Sequence, residues 1–211
     1  MHLINPPELE AASHMPARRS AGDRRVAVAG QAAAFADAAT RMLLVSDGLT
    51  TPLLQAVVGQ VLRPRVTALL TVSAQSLSSS ARSALALTPG QQCLVRHSQL
   101  VAPGGTPVSE NTAIAPEGRD TAVASALRDR HRPLGFALQD AGVHPIRSVL
   151  SAGLATWPDG GPCAYKTYLL LTDGVPAVHI RELFNPRMVC ARLLDPDEYG
   201  ASPGFSPRER N

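Results

Sequence analysis

Residues 164–184 read AYKTYLLLTDGVPAVHIRELF, and this stretch decides the fold class. Two runs rich in β-forming residues flank Asp173-Gly174, a dipeptide that favours the tight turn of a β-hairpin. In the second run, strict alternation places Val178, Ile180, Glu182 and Phe184 on one face of the strand. We therefore expect an antiparallel hairpin with one apolar face, which carries a single carboxylate.

A second hairpin is predicted over residues 93–115, around the loop Pro103-Gly104-Gly105. Here alternation groups Leu94, Arg96, Ser98 and Leu100 on one face, which is again apolar with a single charge. A buried arginine and a buried carboxylate are costly unless each finds a partner. Two interpretations stay open: a structural ion pair or wet strand faces, and an enclosed pocket for an apolar anion. In the second, Arg96 is a carboxylate clamp and Glu182 handles a proton.

The other segments alternate between helical and extended patterns. Helices are predicted over residues 31–42, 78–87, 120–130 and 133–141, with one more that starts at Thr51-Pro52, and strands over 66–72 and 144–157. This order predicts an α+β domain in which helices flank an antiparallel β-sheet. We expect residues 1–30 to form a disordered or loosely attached arm, residues 31–194 the domain, and residues 195–211 a polar tail.

The composition and charge of the chain exclude several classes of function. The chain has 211 residues and a net charge of +3, and its apolar runs fall far short of the roughly 20 residues that a membrane span needs. Its positive charge forms no run beyond short arginine pairs, so we expect neither a membrane nor a nucleic-acid partner. Three separated cysteines and the lack of a visible signal peptide predict a reduced, cytoplasmic protein. Lys166 is the only lysine.

Motifs for cofactor binding are missing from the sequence. The six histidines include no pair at metal-ligand spacing, and no glycine-rich nucleotide loop or nucleophile elbow is present. We therefore expect a domain without metal, nucleotide or flavin cofactors.

Five segments, taken in order, resemble the chorismate pyruvate-lyase family. They are residues 42–54 (MLLVSDGLTTPLL), 94–96 (LVR), 111–116 (NTAIAP), 132–135 (RPLG) and 173–184, where DGVP is followed by IRELF with the signature Glu-x-Phe. The resemblance runs from about residue 41 to residue 189. It implies a chorismate lyase-like fold, an antiparallel sheet flanked by helices that enclose a small internal pocket.

The resemblance also implies a cofactor-free lyase that removes pyruvate from chorismate and leaves a hydroxybenzoate, with 4-hydroxybenzoate the expected product. On that template Arg96 binds the ring carboxylate and Glu182 faces the ether oxygen, so these two are the predicted catalytic residues. Leu49, Thr50, Leu134, Gly135 and Asn111 are the predicted substrate-binding residues. The expected ligand is a small aromatic or cyclohexadienyl carboxylate, and the expected oligomeric state is a monomer or a homodimer.

Departures from the family pattern keep the substrate and the product's ring position open. Residues 164–168 read AYKTY where the family often has arginines, and Arg181 stands where a threonine is usual. Two alternatives therefore remain. One is an enzyme of the same fold recruited to another elimination or cyclisation in a natural-product pathway. The other is a non-catalytic domain that binds a small anion, like the related UTRA domains.

Overall fold

The computed structural model describes residues 20–195. Within that range the helices are α1 (Ala21–Ala33), α2 (Ala38–Val45), α3 (Thr50–Val58), α4 (Ser79–Ala84), α5 (Thr121–Arg128) and α6 (Leu134–Asp140). The strands are β1 (Arg63–Ser73), β2 (Gln92–Val101), β3 (Pro107–Pro116), β4 (Ile146–Thr156), β5 (Pro162–Thr172) and β6 (Val175–Phe184). None of the described helices is long and apolar enough to cross a membrane.

The six strands form one antiparallel sheet in the order β1-β2-β3-β6-β5-β4. Helices lie against both faces of this sheet, so the α+β prediction is confirmed. Both predicted hairpins are present, as β2–β3 and β5–β6. The β5–β6 turn has positive φ angles at Asp173 (51°) and Gly174 (77°), as a two-residue hairpin turn of type I′ requires.

Two hydrophobic clusters share one face of the sheet. At one end, α1, α2 and α3 pack around Leu100 and Phe184. At the other end, α5 and α6 pack on Leu94, Ile180 and their neighbours. The opposite face is covered in part by α4. The site described below lies between the two clusters, where the helices leave a gap over the sheet.

The N-terminal helices differ from the prediction. The helix predicted over residues 31–42 is two helices, because Asp37 caps α2 by accepting a hydrogen bond from the Thr40 amide at 2.7 Å. Helix α1 begins at Ala21, inside the segment predicted to be loose. It packs on β4, and Gln31 accepts a hydrogen bond from the Ala152 amide at 2.9 Å. Residues 1–19 and 196–211, which carry the rest of the predicted arm and tail, lie outside the described residues.

Helix α3 also starts earlier than predicted. The sequence indicated a hydroxyl N-cap followed by Pro52 at the first helical position, whereas the helix begins at Thr50 and Leu49 caps it without a side-chain hydrogen bond. Thr50, the first residue of the helix, donates its hydroxyl to the Glu182 carboxylate in the sheet. The first turn of α3 is therefore fixed by the site and not by a local cap.

Candidate functional site

A small cavity of about 60 Å³ lies between the sheet and the helices α3 and α6. All seven residues predicted from the sequence line it: Leu49, Thr50, Arg96, Asn111, Leu134, Gly135 and Glu182. They arrive from five separate elements, which the fold brings together over one face of the sheet. The structure thus confirms that these residues are neighbours, while their binding roles stay a prediction.

Arg96 is buried in the wall of this cavity with only part of its donors engaged. The residue is 1% exposed, and its Nη2 donates a hydrogen bond to the Arg132 carbonyl oxygen at 3.2 Å. Among residues 20–195, Nε and Nη1 find no hydrogen-bond partner. Burial lowers the pKa of Arg96, and the charge of Asp129 opposes this effect. Asp129 itself forms a salt bridge with Arg132 at 2.8 Å.

Glu182 is surrounded by hydrogen-bond donors. Its Oε2 accepts from the Thr50 hydroxyl at 2.8 Å, and its Oε1 accepts from the Tyr168 hydroxyl at 3.1 Å. The Lys166 ammonium lies 3.9 Å from Oε2 in an almost fully buried ion pair. Both carboxylate oxygens of Glu182 are therefore engaged by side chains of the protein itself.

Lys166 and Tyr168 complete this network from β5. Lys166 also donates to the carbonyl oxygens of Leu43 at 3.1 Å and Ser46 at 3.3 Å. Burial lowers the pKa of Lys166, and the charge of Glu182 opposes that shift. Burial and the negative charge of Glu182 raise the pKa of Tyr168 well above its ordinary value. The Tyr168 hydroxyl therefore keeps its proton and remains a donor at physiological pH.

Neither of the simpler interpretations of the two charges holds. The strand faces that carry Arg96 and Glu182 are buried and not wet. Among the described residues the two side chains do not form an ion pair, because Glu182 pairs with Lys166. A buried guanidinium is consequently left without a carboxylate.

Asn111 sits between these groups on β3, opposite Ser98 on one side and Glu182 on the other. Its Nδ2 donates to the Ser109 hydroxyl at 3.0 Å, whereas its buried Oδ1 has no partner. The cavity thus offers an unused acceptor on the same face as the unused donors of Arg96.

Sequence reasoning missed three residues at this site. Arg147 lines the cavity from β4, and Tyr168 lines it from β5, with Lys166 directly behind the Glu182 carboxylate. Alternation along residues 164–171 does place Lys166 and Tyr168 on a common face, so that signal was available. Arg147 follows Pro145 in a segment without a clear pattern, and nothing local marks it as part of the cavity.

In the part of the chain that the structure describes, no three His, Cys, Asp or Glu side chains are grouped so that they could hold a metal ion. No protein-family model and no curated protein matches the sequence.

Solved structures, in contrast, share the fold. PhnF from Mycobacterium smegmatis matches with a TM-score of 0.51 and 15% identity, over 68% of this chain and 66% of that chain. The separate effector domain of PhnF matches with the same TM-score and identity, over 67% of this chain and 91% of that domain. The fold is UTRA-related and chorismate lyase-like. The C-terminal domain of the histidine utilization repressor from Pseudomonas syringae pv. tomato is also similar, with a TM-score of 0.43 and 16% identity over 60% of this chain and 93% of that domain.

These neighbours correct the prediction of an enzyme. The fold is that of PhnF and of its effector domain, and this finding contradicts the predicted enzyme, both as a chorismate pyruvate-lyase and as its recruited relative. The expected products, pyruvate and a hydroxybenzoate, and the expected place in secondary metabolism are wrong for the same reason.

Proposed function

We propose that this domain is a non-catalytic sensor that binds a small anion in its cavity, with Arg96 as the anion clamp. The observation that carries the proposal is the pair of unpartnered Arg96 nitrogens, Nε and Nη1, in a side chain that is almost fully buried. A buried charge without a partner is costly, and an anion bound in the cavity would compensate both the charge and the two unused donors. Charge-assisted hydrogen bonds from a guanidinium are also the strong, directional kind.

The neighbouring residues suit a binding site better than a reaction centre. Asn111 Oδ1 is available to accept a hydrogen bond from a hydroxyl or amino group of the ligand. Leu49 and Leu134 supply apolar side chains to the cavity wall, and Gly135 supplies backbone. Glu182 keeps Thr50 attached to the sheet, so its part is to hold the start of α3 in place.

A thermal-shift experiment tests the proposal. Acetate, benzoate, malonate, sulfate and phosphate are each added to the protein at constant ionic strength, and Tm is measured. A ligand at 100 times its Kd stabilises a folded protein by about 2.7 kcal/mol, which raises Tm by roughly 5 °C or more for a domain of this size. We expect at least one of these anions to give such a rise.

Arg96→Gln is the variant that decides the role of Arg96. It removes the buried charge, so we expect the ligand-free variant to be at least as stable as the wild type while the rise in Tm with anion disappears. Arg187→Gln is the matched control, because Arg187 is exposed and lies outside the cavity. If none of the anions raises Tm, or if Arg96→Gln keeps the full rise, the proposal is wrong.

A further inference from the structure

A second arginine, on the edge strand β4, also lines the cavity. Arg147 belongs to β4, which is separated from the strand of Arg96 by β3, β6 and β5. Four strand spacings of about 4.8 Å separate the two backbones, so their side chains approach the cavity from opposite sides. The Nη2 atom of Arg147 lies beside Gly135, 3.4 Å from the position that a Cβ would take there. Its guanidinium therefore stands at the start of α6, on the cavity wall.

Arg147 is also without a structural partner. Within residues 20–195 it forms no hydrogen bond and no salt bridge. An arginine that merely closed a wall would be expected to donate to a nearby carbonyl or carboxylate, as Arg132 does to Asp129 and Asp140. The free guanidinium of Arg147 is instead available to the cavity.

The charges around the cavity do not balance. Its described lining contains two cations, Arg96 and Arg147, and one acid, Glu182. Lys166 stands behind Glu182 and cancels its charge. Three cations and one carboxylate leave a charge of +2 in this set of residues. Asp129 and Asp47, whose charges also act on Arg96 and Lys166, are each paired with an arginine outside the lining.

We infer that the ligand of this cavity is a small dianion held between Arg96 and Arg147. The inference rests on the proposed anion-binding function and specifies the charge class of its ligand. Charge balance favours two negative charges, and the cavity volume of about 60 Å³ favours a short molecule. A dicarboxylate and a tetrahedral dianion share this chemistry, and the test below separates them.

Two matched pairs of probes test the inference by titration calorimetry near pH 7.5 and at fixed ionic strength. Sulfate and methanesulfonate have nearly the same shape and differ by one charge. Malonate and monomethyl malonate differ in the same way among carboxylates. We expect the dianion of at least one pair to bind about tenfold or more tightly than its monoanion, and the pair that responds identifies the ligand as tetrahedral or as a dicarboxylate.

Arg147→Gln tests whether Arg147 binds the second negative charge of the ligand. In this variant we expect both anions to bind more weakly and the dianion to lose more affinity, so that its preference over the monoanion falls to about threefold or less. Arg187→Gln, the exposed control, should keep the wild-type preference. The inference is overturned if neither dianion binds, if dianion and monoanion bind equally, or if Arg147→Gln keeps the wild-type ratio. If a monoanion binds as tightly as its dianion and the binding depends on Arg96, the proposed anion-binding function holds and only the inference of a dianionic ligand is wrong.

Discussion

Lys166 and Arg96 are both buried cations, yet their surroundings differ. Lys166 has Glu182 and the carbonyl oxygens of Leu43 and Ser46 around its ammonium, so its charge is compensated within the protein. Arg96 has a single carbonyl oxygen and two unused nitrogens. Because buried charges are usually paired, this contrast is the basis for assigning Lys166 a structural role and for proposing Arg96 as the anion clamp.

Substitution of Lys166 tests its structural role. Lys166→Met keeps the volume but leaves the Glu182 carboxylate buried without its cation, and breaking a buried pair in this way costs about 3 kcal/mol or more. We therefore expect a loss of that size in the free energy of unfolding, measured by urea denaturation. Adding Glu182→Gln to Lys166→Met should recover part of it, because no unpaired charge then remains.

The exposed pair Arg25–Asp47 provides the control for this measurement. Its side chains are 80% and 61% exposed and lie 3.4 Å apart, so Arg25→Ala should change stability by less than about 0.5 kcal/mol. A loss in Lys166→Met no larger than that of Arg25→Ala would show that the buried pair contributes nothing.

Among the elements, the β5–β6 hairpin shows what the sequence can and cannot predict. Asp173-Gly174 and the alternating strands predict the hairpin and the apolar strand face that carries Glu182. A two-residue turn by itself would pair Lys166 with Arg181. The register shifts at Leu170/Leu171, however, and this irregularity places Lys166 opposite Glu182. No local feature of the sequence marks the shift, so the ion pair could not be predicted.

Helix α6 brings backbone close to the cavity at Gly135. A Cβ at this position would lie 2.5 Å from Leu49 Cδ2, so Gly135→Ala must displace the Leu49 side chain, which lines the cavity. We expect anion affinity to fall by roughly tenfold, or about 1.4 kcal/mol. Stability should change by less than about 1 kcal/mol, because alanine is the better helix former.

Calorimetric titration with the anion that raises Tm most checks this prediction. Gly104→Ala is the matched control, since an added Cβ there meets nothing within 4 Å. Equal affinity in Gly135→Ala and Gly104→Ala would mean that the contact with Leu49 does not limit the cavity.

For the whole molecule, the order of helices and strands was enough to predict the α+β class, and alternation was enough to put Arg96 and Glu182 each on an apolar strand face. The predicted activity relied on motifs that contain these two residues but omit other charged side chains of the site. Lys166 and Arg147 change the charge of the cavity, and neither belongs to a quoted motif of the family. A shared arginine and glutamate are thus compatible with binding as well as with catalysis.

Global stability should depend on pH through His179, which is buried on the opposite face of the sheet with Nδ1 unpartnered. Burial, helped by the charge of Arg181, lowers the pKa of His179 below its ordinary value of 6.5. As pH falls below 6.5, the unfolded chain therefore binds the proton before the folded protein does, and stability is lost. The stabilisation is fully present above that pH.

Urea denaturation at pH 7.5 and pH 5.5 measures this effect. His179→Leu should reduce the loss of stability between the two pH values by on the order of 1 kcal/mol. His131→Gln should leave it unchanged, because His131 is exposed. If His179→Leu loses as much stability at acid pH as the wild type, His179 is not the group responsible.

A crystal structure of the protein, grown with the anion that raises Tm most, tests the anion clamp most directly. We predict ligand density in the cavity, with an oxygen atom about 2.7–3.2 Å from Arg96 Nε or Nη1. Density at another place on the protein, with these two nitrogens still unpartnered, would contradict the role assigned to Arg96.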